Sequence, residues 1–132
     1  MNTHPPDPLT EKIIGAIYEV SNTLGPGFLE KVYERALLRE LTLQNIPAKK
    51  QVTYSVIYKG QSVGDYFADI VASNAVVIEI KCVDRLSNDH KAQCINYLKA
   101  SGLSVCLLVN FQQARVEIRR IVSGFEEPSQ LS

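Results

Sequence analysis

Residues 66–81 read YFADIVASNAVVIEIK, an apolar stretch that nonetheless carries Asp69, Glu79 and Lys81. Side chains alternate along a strand, so Val77, Glu79 and Lys81 share one face and Val76, Ile78, Ile80 and Cys82 share the other. The second set is core. The first puts a carboxylate beside an ammonium. The polar break at Ser73-Asn74 predicts a hairpin. A three-residue loop, Ser73-Asn74-Ala75, places Asp69 opposite Glu79, whereas a two-residue Ser73-Asn74 loop places them on opposite faces. If opposed, their Cβ atoms lie ~5 Å apart. Two carboxylates at that distance repel by about 3 kcal/mol at an effective dielectric of about 20. Fold stability gives no reason to tolerate this; a divalent cation does. Hard oxygen ligands on adjacent strands suit Mg²⁺ or Mn²⁺, with waters completing the shell. Lys81 would then point at whatever the metal holds, where an ammonium can stabilise a developing anion or orient a water. The plainer alternative is a Glu79–Lys81 ion pair on a solvent-facing side of the sheet, with Asp69 unrelated.

Two further segments carry candidate groups. In GFLEKVY, residues 27–33, Glu30 falls in the first turn of a helix, where its charge also suits the helix dipole. In QCINY, residues 93–97, Gln93 and Tyr97 are one turn apart, and Leu86 and His90 extend the same helical face. A face with His, Gln and Tyr is either an ordinary solvated surface or a polar wall lining the site. Cys94, Ile95 and Leu98 are the expected core of that helix.

The elements that must position these groups follow from periodicity. Residues 8–24 read as a helix with Pro8 in its first turn and a stripe of Ile13, Ile14, Ile17, Val20 and Leu24. Gly25-Pro26-Gly27 breaks the chain. A second helix runs from Phe28 to Gln44 with Leu29, Val32, Ala36, Leu37 and Leu41 inward, and Asn45 and Pro47 stop it. Strands are expected from Val52 to Tyr58, over 63–72 and over 75–83. Ser87 caps a helix to Ala100, and Gly102 ends it. LSVCLLVN, residues 103–110, is apolar enough to be buried on both faces. Residues 115–121 alternate as a last, more exposed strand, and residues 1–7 and the tail FEEPSQLS read as loose ends. The order is α-α-β-β-β-α-β-β. The strand–helix–strand segment from 75 to 110 is a crossover, so its strands should be parallel and the connection right-handed. The expected fold is a mixed central sheet flanked by helices, in the α/β (α+β) class.

The chain has 132 residues, 45% hydrophobic and 21% charged, which fits a single domain spanning 1–132. Formal net charge is zero, so overall charge does not announce a nucleic-acid partner. Lys49, Lys50, Lys59, Arg85, Lys91 and Lys99 are candidate phosphate contacts. No apolar run reaches the ~18 residues of a membrane span, and the polar, proline-rich start lacks a signal-peptide core. The expectation is a cytoplasmic protein without membrane contact. Cys82, Cys94 and Cys106 form no CxxC and read as reduced structural thiols.

Four motifs in this order resemble the GxxExxY family of the PD-(D/E)XK nuclease-like superfamily. They are Gly27-Phe28-Leu29-Glu30-Lys31-Val32-Tyr33, Asp69 within YFADIV, Glu79-Ile80-Lys81 within VIEIK, and Gln93 to Tyr97 within AQCINYLKASG. LLVNF, ending at Phe111, is also similar. Ala68 stands where the superfamily's name has proline. The resemblance covers residues 9–121 and implies a restriction-endonuclease-like αβββαβ core. It implies that Asp69 and Glu79 ligate Mg²⁺ or Mn²⁺ with the Ile80 carbonyl, that Glu30 reaches the metal through water, and that Lys81 positions the nucleophilic water. Gln93, Tyr97, Tyr33 and His90 would line the site or touch nucleic acid. The implied reaction is phosphodiester hydrolysis of DNA or RNA. A homodimer fits that reading, since cutting two strands takes two centres. The competing functions are a non-catalytic nucleic-acid- or protein-binding module that kept the fold, and hydrolysis of a different phosphoester.

Overall fold

Each helix starts and stops where the sequence supplies partners for its orphan backbone groups. The computed structural model describes residues 7–122 and the backbone of 125–126. Helix α1 (Pro8–Leu24) opens on Asp7, whose carboxylate accepts the Thr10 N–H at 2.8 Å and the Thr10 hydroxyl at 2.9 Å. Asp7 is therefore a cap and not part of a loose arm; residues 1–6 lie outside the described chain. Helix α2 (Glu30–Leu43) starts two residues later than expected, with Leu29 as its N-cap. For that reason Leu29 is exposed rather than inward, and Val32, in the first turn, is also exposed. Helix α3 (Asn88–Ser101) begins with a reciprocal capping box between Ser87 and His90 and ends at Gly102, whose φ of 77° is left-handed.

The strands are β1 (Ala48–Tyr58), β2 (Gln61–Ala72), β3 (Val76–Lys81), β4 (Val105–Asn110), β5 (Glu117–Val122) and β6 (Phe125–Glu126). They lie in one sheet in sequence order. Every neighbouring pair is antiparallel except β3 and β4, which are parallel and joined through α3. The expected order thus holds, with β6 as an addition; the rest of the tail, 127–132, lies outside the described residues. Together these elements form a mixed α+β fold of the restriction-endonuclease type.

Two cores sandwich the sheet. On one side Ile13, Ile17, Leu37 and Leu41 of α1 and α2 pack on Ile70, Ile78, Ile80 and Leu107. On the other, Cys94, Tyr97 and Leu98 of α3 pack on Val71, Val77, Cys106 and Leu108. Strand β3 is covered on both faces, which explains its nearly continuous apolar sequence. Glu79 and Lys81 share the parity of Val77 and so belong to the α3 side. Strand β5 is more buried than its alternation implied. Ile118 joins the α1/α2 core and Ile121 the α3 core, so neither face is left to solvent. The three cysteines are free thiols, with Cys94 and Cys106 buried.

Candidate functional site

The hairpin loop decides where the acids stand. Ala72 pairs with Val76, Val71 with Val77 and Ile70 with Ile78, so the loop is Ser73-Asn74-Ala75. Ser73 and Asn74 take left-handed φ values of 53° and 52° to make it. Asp69 and Glu79 come next in this register, and the ladder stops before them. In place of a ladder bond, Asp69 Oδ2 accepts the Ile80 N–H at 2.8 Å. On its other side Asp69 faces Gln51, which has a φ of 51° and is skipped between Lys50↔Ile70 and Val52↔Ala68. Ala68 packs in the α3 core while Ile70 packs in the opposite one. Asp69 thus sits where three strands part locally, and its carboxylate satisfies the backbone donor that the parting exposes.

Glu79 is 4% exposed. Its Oε2 receives Lys81 Nζ at 3.5 Å and the Tyr97 hydroxyl at 3.3 Å. The same hydroxyl lies 3.0 Å from the Phe67 carbonyl, and with a single proton it serves one acceptor at a time. Glu79 Oε1 is buried with no donor. Burial, and then the neighbouring Asp69 charge, push the Glu79 carboxyl up to about 8, with Lys81 pulling the other way. The Asp69 carboxyl is raised by burial and by Glu34, against the pull of the Ile80 N–H. The Tyr97 phenol is raised by burial and then by Glu79. A proton held by Glu79 and donated to Asp69 relieves the pair.

The other candidates divide into supports and neighbours. Glu30 Oε2 accepts the Cys82 N–H at 3.0 Å, which fixes the start of α2 to the chain just past Lys81. Gln93 lies half-buried one turn before Tyr97. Ile80 contributes its N–H to Asp69, while its side chain is core. Tyr33 does not line the site. It is fully buried, its ring stacks on Phe111 at 4.4 Å, and its hydroxyl donates to the Gly25 carbonyl at 2.6 Å while accepting the Phe28 N–H at 3.2 Å. Gly27 in that loop has φ 112°, a conformation costly for any other residue. His90 is likewise a cap, its Nδ1 accepting the Ser87 N–H at 3.0 Å. Asn110, fully buried, holds Val83 through both its amide atoms and so fixes the exit from β3.

Sequence reasoning missed Glu34. It is 4% exposed, bound to Gln51 Nε2 at 3.1 Å and Lys31 Nζ at 3.3 Å, and near enough to Asp69 to raise its carboxyl. A signal existed: Glu30 and Glu34 are like charges one helical turn apart, an arrangement that destabilises an isolated helix.

Among the described residues, no three His, Cys, Asp or Glu side chains converge on one point as metal ligands. The available donors are a pair. Asp69 has Oδ2 committed to Ile80, and Glu79 has Oε2 committed to Lys81 and Tyr97. That leaves Asp69 Oδ1 and the orphaned Glu79 Oε1. Two adjacent hard oxygens, one of them buried without a donor, fit a small divalent cation whose remaining ligands are water or substrate.

A family model for the PD-(D/E)XK nuclease superfamily matches residues 7–121. The chain belongs to that superfamily. A solved structure titled "Crystal structure of SSO0001" is 22% identical, with a TM-score of 0.58 over 87% of this chain. The chain spans 58% of that structure's chain, and the likeness is one of fold. No curated protein matches the chain. No described helix is long and apolar enough to cross a membrane.

Proposed function

We propose that this protein is a phosphodiester hydrolase acting on DNA or RNA, of the GxxExxY type within its superfamily. The observation that carries this reading is the Asp69–Glu79 pair: a buried carboxyl beside a half-buried one, each with one oxygen tied down and one left to share a proton or a cation. Asp69 and Glu79 would hold Mg²⁺ or Mn²⁺, with the Ile80 carbonyl as a further ligand and Glu30 acting through water. The cation would supply Lewis-acid polarisation of the phosphate and a more acidic water. The chain's own groups do the rest. Lys81, held at 3.5 Å from Glu79, orients the attacking water and offsets charge developing on the phosphate oxygens. Tyr97 keeps Glu79 in place, and the Ile80 N–H keeps Asp69 in place. Glu34 and Gln51 brace the α2 side, and Gln93 borders the substrate path. A second copy would be needed to cut both strands of a duplex; one centre suffices for a single strand. A cytoplasmic setting, which keeps thiols reduced, suits the free Cys82, Cys94 and Cys106.

A second reading, a binding module without catalysis, is favoured by the lack of a third converging acid among the described residues. One experiment separates them. Linear and circular single-stranded DNA, duplex DNA and RNA are incubated with the protein and Mn²⁺ or Mg²⁺. Cleavage by the wild type, reduced about 10²-fold or more in Lys81→Ala, supports hydrolysis. Binding without cleavage of any substrate supports the module.

A further inference from the structure

A cleft of about 530 Å³ opens between the outer half of the β1–β2 hairpin and the second half of α3. Its size falls in the range of small-molecule sites, roughly 300–1,000 Å³. Val56, Ile57 and Ala100 give it an apolar wall, Tyr66 an aromatic ring, and Asn96 and Lys99 an amide and an ammonium. Neither Asn96 nor Lys99 has a hydrogen bond or ion pair with another described residue. No carboxylate lines the cleft; Asp65, on the same hairpin, is held by the hydroxyl of Ser55 at 2.6 Å. A contact between two aromatic rings links the cleft to the candidate centre. The Tyr66 ring meets the Tyr97 ring edge-on, with centroids 5.8 Å apart at 85°, and the Tyr97 hydroxyl is 3.3 Å from Glu79.

A flat apolar body, a hydrogen-bonding edge and an anion are the three chemistries of a nucleotide. An aromatic ring, a carboxamide able both to donate and to accept, and an unpaired ammonium are their complements. A base inside a duplex is already stacked and paired, so its faces and edge cannot be offered to such a cleft. We propose that the cleft receives one unpaired nucleotide next to the scissile phosphodiester, which makes the substrate of this centre a single strand or a frayed end. Tyr66 and Ile57 contact the base, Asn96 its edge and Lys99 the adjoining phosphate. This rests on the phosphodiester reading of the Asp69–Glu79 site.

The test is equilibrium binding, which needs no turnover. Fluorescein-labelled 12-nucleotide single-stranded DNA, single-stranded RNA and the blunt DNA duplex are titrated by anisotropy in EDTA with the wild type, Asn96→Ala, Lys99→Ala and the cleft-filling Ala100→Trp. The expected result is that one single strand binds at least tenfold tighter than the duplex. Each variant should lose five- to tenfold on that strand and little on the duplex; the DNA and RNA arms identify the sugar. Equal binding of strand and duplex, no binding of either, or variants that match the wild type would overturn the proposal. Its failure is distinct from failure of the hydrolase reading, because cleavage of duplex DNA by a protein with an indifferent cleft would leave that reading intact. Selective single-strand binding without cleavage would do the reverse.

Discussion

Glu79 holds a proton near neutrality that it would release in the unfolded chain. Burial and Asp69 raise its carboxyl from the ordinary 4.5 to about 8, so between those values the metal-free native state binds more protons than the unfolded one. Stability from this group is complete at acid pH and is lost as pH climbs through about 8, by up to about 1.4 kcal/mol per pH unit. Asp69, shifted in the same direction, adds to the slope. Glu79→Gln has no proton to release. Thermal melts in EDTA should therefore show the variant above the wild type at pH 8.5 and the two close together at pH 4. Parallel curves would mean that Glu79 is not a buried, uncompensated acid. Of these side chains the sequence displayed Asp69, Glu79 and Lys81 plainly, because charge inside an apolar strand is conspicuous. It concealed Glu34, because a glutamate on an amphipathic helix looks like solvated surface until the fold turns it inward.

Among the elements, α2 has a structural task that its motif disguised. Gly27 permits the loop, Tyr33 closes it through Gly25 and Phe28, and Glu30 ties the helix start to Cys82. Glu30 thereby fastens α2 to the chain just past β3, beside Lys81, while Gly27 and Tyr33 order the loop that leads into the helix. Tyr33→Phe removes one buried donor and should cost about 1–1.5 kcal/mol, seen as a lower melting temperature with unchanged activity per folded molecule. A catalytic loss without a stability loss would return Tyr33 to the site. Tyr97 differs. Tyr97→Phe should lower stability by a similar amount and also lower activity, since Glu79 loses the hydroxyl that holds Oε2. Spacing could not separate these two tyrosines. Both sit on helices among polar neighbours, and only the packing of α2 against Phe111 and of α3 against β3 distinguishes a core lock from a site residue. The helices themselves were legible from caps and stripes. The burial of β5 was not, because its alternating pattern says nothing about a second layer covering its outer face.

On the scale of the whole molecule, zero net charge means that any hold on nucleic acid comes from a local cationic face. Engaging about three phosphates would weaken binding roughly ten- to a hundredfold between about 50 and about 200 mM salt. Anisotropy titrations across that range check this, and a flat response would assign the surface to a protein partner. The order of elements along the chain and the crossover through α3 could be read from periodicity alone; the length of the hairpin loop could not, since two- and three-residue loops fit the sequence equally and only the register Ala72↔Val76 selects Ser73-Asn74-Ala75. The parting of three strands at Asp69 could not, since it depends on the left-handed Gln51 on a neighbouring strand. The central question is whether this acid pair, Glu79 buried and Asp69 half-buried, takes a cation. Calorimetric titration of Mn²⁺ into the wild type and into Glu79→Gln tests it most directly. Saturable binding by the wild type and none by the variant is the expected result. Equal binding by both, or none by either at millimolar metal, would contradict it.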